Sequence, residues 1–213
     1  RKIYSKYLRF EMLLVWGLDF FTQIIAMLKY FQIFYKPGIF IEEMIQDPSA
    51  QKKALSIAFL FCCLQSFPLL MQGVAYSANE SNSDGFIGLK VLIGGCIGLG
   101  IFYLYSILLR NFARVLRIEA ELNQIRTALG LALLPWTVLF FVFFILMAIV
   151  GPAAVYNLFP VFFFGIIYGY TVLLISVSRT LKIGSLKAFF LLTFTKIVIL
   201  FPVIFLFQKI LIN

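Results

Sequence analysis

The chain has 213 residues, 62% of them hydrophobic, 18% aromatic and only 13% charged, with a net charge of +9. That balance excludes a soluble domain. The basic excess does not describe a nucleic-acid face either, because the lysines and arginines are spread over the ends of apolar segments, where lipid headgroups are their natural neighbours.

Residues 1–53 stand apart as a membrane-surface segment. Helical periodicity runs through Leu14, Leu18, Phe21, Ile25 and Leu28, with Glu11, Asp19, Thr22, Gln23 and Lys29 forming a narrow polar stripe opposite. The pattern predicts interfacial amphipathic helices lying apolar face down on the cytoplasmic leaflet. The alternative, a sixth crossing between Met12 and Leu28, requires burial of Asp19 and export of Arg1, Lys2, Lys6 and Arg9. Pro37 suits the first position of a short helix in which Phe40, Ile41, Met44 and Ile45 are apolar and Glu42 and Glu43 polar. Asp47-Pro48 ends it, and Asp47 is placed to cap the next helix.

Residues 54–213 predict a five-helix transmembrane domain. Its apolar stretches are Ala54–Tyr76, Phe86–Leu109, Ala128–Val150, Leu158–Ser176 and Ala188–Ile212. Each matches the length a helix needs to cross about 30 Å of hydrocarbon. Fifteen of the eighteen basic residues lie before the first stretch, between the second and third, or between the fourth and fifth. The segments Ser77–Gly85 and Gly151–Asn157 carry none. This asymmetry places the N-terminus in the cytoplasm and the C-terminus outside. The outer loop Ser77–Gly85 is polar and holds a glycosylation sequon, Asn79-Glu80-Ser81, relevant only in a eukaryotic secretory membrane. The basic loop Arg110–Arg126 is helically periodic, which predicts a cytoplasmic continuation of the second span or a surface helix. Pro135 withholds one hydrogen bond from the third span, and neighbouring helices are expected to compensate.

Lys196 is the sharpest candidate for chemistry. It lies nine residues past Lys187, about 13–14 Å deeper along a helix, where a lysine is disfavoured by about 2.5–3.5 kcal/mol. No span carries a carboxylate to pair with it. A polar pocket built from Lys196, Gln65, Tyr168 and Thr193 would hold a lipid headgroup, an anion or a partner's carboxylate. The plainer account has Lys196 snorkelling in a wet groove. Gly94, Gly98, Gly165 and Gly169, in two small-x-x-x-small pairs, are expected to seat close helix packing, within one chain or between copies.

Cys62, Cys63 and Cys96 fall inside apolar stretches and read as packing residues. With no histidine in the chain, a zinc, iron or copper site lacks ligands. Glu42, Glu43, Glu119 and Glu121 fit solvated helix faces, and no serine elbow or phosphate-cradling loop is present. No catalytic residue, metal or cofactor is expected.

The order of these elements resembles the Yip-domain family of Ypt/Rab-interacting membrane proteins. The resemblance rests on Lys36–Pro48 (KPGIFIEEMIQDP), the basic loop after the second span, and Leu134-Pro135 in the third, and covers about residues 36–213. It implies an all-α, polytopic, five-span protein with a cytoplasmic N-terminus. GTPase binding is not implied, because family members use a longer N-terminal region for it. Short loops and a Phe/Ile/Lys-rich composition suit a bacterial inner membrane; the alternative is the ER or Golgi. The expected role is non-enzymatic: organising lipid, anionic lipid included, a partner membrane protein or copies of itself. The alternative is a transporter or channel subunit with Lys196 on an anion or lipid path.

Overall fold

The structure, a computed structural model, describes residues 29–77, 87–151 and 157–212. The predicted N-terminal periodicity, the outer loop and most of Gly151–Asn157 lie outside the described residues. Within them the chain is all helical. After a helical stretch at 29–35 come α1 (Pro37–Ile45), α2 (Ala50–Ser77), α3 (Ile87–Val115), α4 (Leu122–Ala132), α5 (Leu134–Val150), α6 (Phe159–Thr180) and α7 (Ser185–Ile212). Four segments among the described residues are long and apolar enough to cross a membrane: Gly88–Val115, Leu122–Val150, Phe159–Thr180 and Ser185–Pro202. They coincide with the second to fifth expected stretches. The first expected stretch falls within α2, a helix of 28 residues.

Sequence accounts for most of the helix ends. Pro37 opens α1. Its φ is already helical and its missing amide is one the first turn would leave unbonded. The Asp47 carboxylate accepts hydrogen bonds from the Ser49 amide and hydroxyl, each at 2.8 Å, and the Asp47 carbonyl receives the amide of Ala50, where α2 begins. These two bonds hold the Asp47 carboxyl below the usual carboxylate range. At Pro135 the Leu133 amide faces the Gly130 and Leu131 carbonyls, and α4 passes into α5 at this turn.

Two other ends are unusual. At the end of α3 the Ile118 amide reaches back to Ala113 O at 2.9 Å, with Arg117 at φ 58°. At the end of α6 the Ile183 amide reaches Ser178 O at 3.0 Å, with Lys182 at φ 52°. Both are left-handed helix stops in which a basic residue occupies the position glycine usually takes.

The centre of the fold is α4, in a region where the sequence predicts the margin of a cytoplasmic loop. It touches α1, α2, α3, α5 and α6. Ile125, Leu129 and Ala132 face one buried cluster with Leu109, Leu173, Leu192 and their neighbours. Ala128 and Leu131 face a second, with Phe40, Ile41, Ala54 and Val172. The i, i+4, i+7 spacing of the first set sends its side chains to one face, and Ala128 and Leu131 fall on the adjoining one, about 100° round the helix. The third apolar span therefore begins at Leu122, six residues before its expected start.

The second cluster also revises α1. Phe40, Ile41 and Met44 are buried among α4 and α6 residues, so the apolar face expected to meet lipid meets protein instead. The Tyr168 hydroxyl donates to the Phe34 carbonyl, and Arg179 of α6 pairs with Glu42 at 3.3 Å. Lys29 pairs with Glu43 at 3.5 Å.

Candidate functional site

Lys196 projects from α7 toward a small cavity of about 140 Å³, lined also by Phe102, Tyr105, Leu129, Leu133, Trp136 and Leu173. Its ammonium lies 4.7 Å from the Tyr170 ring centroid, a cation–π arrangement worth about 2 kcal/mol when water is excluded. The surrounding polar tips are turned to backbone. Tyr105 donates to Leu192 O at 3.3 Å and Trp136 Nε1 to Ile166 O at 3.0 Å. The charge is therefore met by aromatic faces. At about 30 Å³ per water, the cavity has room for a few waters and not for a lipid headgroup.

The residues grouped by depth in the sequence are not grouped in space. Gln65 is exposed on α2, and Tyr168 reaches the segment before α1. Thr193 is half-buried, and neither it, Gln65 nor Tyr168 lines the Lys196 cavity. Depth along a helix is legible from residue counts, but azimuth relative to a neighbour is not. Tyr170, Tyr105 and Trp136 have no sequence signal that separates them from the other aromatic residues. A second cation is handled in the same way nearer the basic ends: the Arg126 guanidinium lies 4.4 Å from the Tyr103 ring and donates through Nε to Ser106 at 3.3 Å.

The four glycines lie where helices meet. A Cβ on Gly98 would stand 2.7 Å from Cys62 Cβ, and one on Gly94 would collide with Ser66, so both glycines face α2. A Cβ on Gly165 would stand 2.8 Å from Leu139, and one on Gly169 would collide with the Trp136 indole, so both face α5. Gly130 permits a closer approach that the small-residue pattern does not reveal. Its missing Cβ would lie 2.5 Å from the Ala54 carbonyl oxygen and 2.8 Å from the carbonyl carbon. Cys62, Cys63 and Cys96 are free thiols, and no group of three or more His, Cys, Asp or Glu side chains among the described residues could hold a metal.

Side-chain hydroxyls along the helices are similarly occupied. Thr137, Thr171, Ser176 and Thr195 each donate to the carbonyl four residues back, between 2.7 and 3.0 Å. By contrast, large apolar side chains lie open along α3, α5, α6 and α7, including Ile97, Ile149, Phe164 and Phe201. No family model, curated protein or solved structure matches the chain.

Proposed function

We propose that this chain is a five-span integral membrane protein that acts by association, organising lipid or a neighbouring membrane protein, without chemistry of its own. α2 supplies the first span, and the basic residues put the N-terminus in the cytoplasm. A bacterial inner membrane is the setting proposed, and an adaptor or accessory role agrees with the resemblance to Yip-domain proteins. The observation that carries the reading is how the polar groups inside the apolar helices are used. The Lys196 ammonium is over a ring, and the helix hydroxyls described above are bonded to their own backbone. A transport path needs polar groups facing a continuous opening, and a reaction centre needs an available base or nucleophile. Open apolar faces suit contact with lipid tails or other helices.

The test is purification of the full chain in mild detergent, followed by sizing and mass spectrometry of everything retained. Retained lipid, a second membrane protein or a multimer is the expected result. A bare monomer that conducts an anion or turns over a substrate after reconstitution would refute the proposal.

A further inference from the structure

The basic end of α3 carries a site that the Lys196 cavity does not explain. A cleft of about 750 Å³ is lined by Arg110, Arg114, Arg117, Ile118, Glu119, Ala120, Glu121 and Gln124. It is formed where α3 stops, turns through the left-handed Arg117 and re-enters as α4. Its volume falls in the range of about 300–1,000 Å³ typical of small-ligand sites. Among the described residues, the ion pairs are Lys29–Glu43 and Arg179–Glu42, so neither the three arginines nor the two glutamates of the cleft are paired. Arg110 Nε is buried with no hydrogen-bond partner. A buried guanidinium nitrogen left unbonded is disfavoured enough to imply a missing acceptor.

Helix dipoles account for part of this charge. Arg114 lies in the last turn of α3, where a cation is favoured, and Glu121 is at the N-cap of α4, where an anion is favoured. They do not account for Arg110, which sits more than a turn inside α3. Nor do they use the Glu121 carboxylate as a cap, since it makes no hydrogen bond to its helix.

An apolar groove of about 540 Å³ adjoins the cleft. It is lined by Phe112, Val115 and Leu116 of the α3 end, by Lys187, Phe190, Leu191 and Phe194 of α7, and by Ile118, which also lines the charged cleft. Val115 and Phe190 are 79% and 63% exposed, so these walls are uncovered apolar surface beside unpaired arginines. Arg110 lies 22 residues along α3 from Gly88, about 33 Å, which is one hydrocarbon thickness. The charged cleft is thus at headgroup level, and the groove leads from it along helices that reach into the apolar layer.

We propose that the two openings together bind one phospholipid whose headgroup carries both a phosphate diester and a primary ammonium, a phosphatidylethanolamine. Arg110, Arg114 and Arg117 hold the phosphate, the Arg110 side chain turning to present its Nε, which its neighbours cover as it stands. Glu119 and Glu121 accept the ammonium protons, and an acyl chain lies in the Phe112–Phe194 groove. With Lys187 on the groove wall, four cations stand near two carboxylates, and it is these two glutamates that a purely anionic headgroup would leave unmatched. A trimethylammonium headgroup has the charge but no N–H to donate. This inference rests on the lipid-association reading above and adds the headgroup and its site.

The test titrates the full chain in detergent with phosphatidylethanolamine, phosphatidylcholine and phosphatidylglycerol of identical acyl chains, and with inorganic phosphate, reading bound adducts by native mass spectrometry. Phosphatidylethanolamine is expected to bind about tenfold more tightly than either other lipid, and inorganic phosphate not to compete at millimolar concentration. Arg110→Met should remove that preference by weakening phosphatidylethanolamine. The exposed pair Glu119→Gln/Glu121→Gln should weaken phosphatidylethanolamine while leaving or strengthening phosphatidylglycerol, and it decides the matter if Arg110→Met does not fold. Equal binding of all three lipids, preference for phosphatidylglycerol, or competition by free phosphate would overturn the proposal. Retained lipid without headgroup preference would sink this inference while leaving lipid association standing; no retained lipid would count against both.

Discussion

Gly130→Ala tests the centre of the fold most directly. The added Cβ would stand 2.5 Å from the Ala54 carbonyl oxygen, 2.8 Å from the carbonyl carbon and 2.9 Å from the Ala54 Cβ. Carbon–oxygen pairs settle near 3.5 Å, so α2 and α4 must part by about 1 Å at this point. The obstruction is main chain, which no rotamer change can move aside. A gap of that size forfeits about a quarter to a half of each atom pair's attraction across the seam, where Ala50, Ala54, Ala128 and Leu131 are all buried. Overpacking of this kind is disfavoured by about 1–3 kcal/mol, and the immovable partner places Gly130→Ala at about 2–3 kcal/mol. For a chain of this size that is a fall of about 4–12 °C in thermal midpoint, read from tryptophan emission in mild detergent. Gly100→Ala is the control, because a Cβ there meets nothing within 4 Å. It should be neutral or stabilising by up to about 1 kcal/mol through helix propensity. If Gly130→Ala melts with the wild type, the close approach of α4 to α2 is wrong.

A double-mutant cycle of Lys196→Met and Tyr170→Leu should show a coupling of about 1–2 kcal/mol in thermal or denaturant stability, and coupling below about 0.5 kcal/mol would remove the ring from the account of this lysine. Lys196→Met alone should be neutral or stabilising, since it also deletes a buried charge. Arg117→Gly and Lys182→Gly should each raise stability by about 0.5–1 kcal/mol by relieving a left-handed side chain; a fall in thermal midpoint for both would contradict those turns. The Asp47 carboxyl is held below its ordinary value of 3.8 in the folded chain, so its contribution is present above the unfolded pKa and lost as pH falls through the folded one. Asp47→Ala should therefore lower the midpoint at pH 7 and approach wild type as pH falls through the folded pKa, below 3.8, whereas a constant difference from neutral to acid pH would show that the charge plays no part.

Some of these features are legible in the sequence and others are not. Segments apolar enough to span a membrane stand out because hydrophobicity is a property of the residues themselves. The stop at Asp47-Pro48 is legible for the same reason, because its hydrogen bonds run to Ser49, two residues away. The role of α4 is not legible, since the periodicity and arginines of residues 110–126 describe a cytoplasmic helix at the surface, whereas Ile125, Leu129 and Ala132 are buried on one face. Nor is the ring beside Lys196: Tyr168 and Tyr170 are equally plausible by depth, and the rotation of α6 against α7 decides between them. The helix stop at Arg117 is hidden because the glycine that usually announces it is missing.

The contacts that hold α1 have a consequence for the order in which the protein can be assembled. Tyr168 and Phe34 are 134 residues apart, and Arg179 and Glu42 are 137 apart. At a synthesis rate of about 5–20 residues per second, the N-terminal segment waits roughly 7–27 s for the helix that receives it. Through that interval Phe40, Ile41 and Met44 have no α6 surface to cover them. α2 and α4 are made earlier and offer Ala54, Ala128 and Leu131, so the pocket for α1 stays open on one side until α6 adds Val172. Seating of α1 is thus completed only when α6 is in place, and a chain truncated before Phe159 should leave Phe40, Ile41 and Met44 partly uncovered.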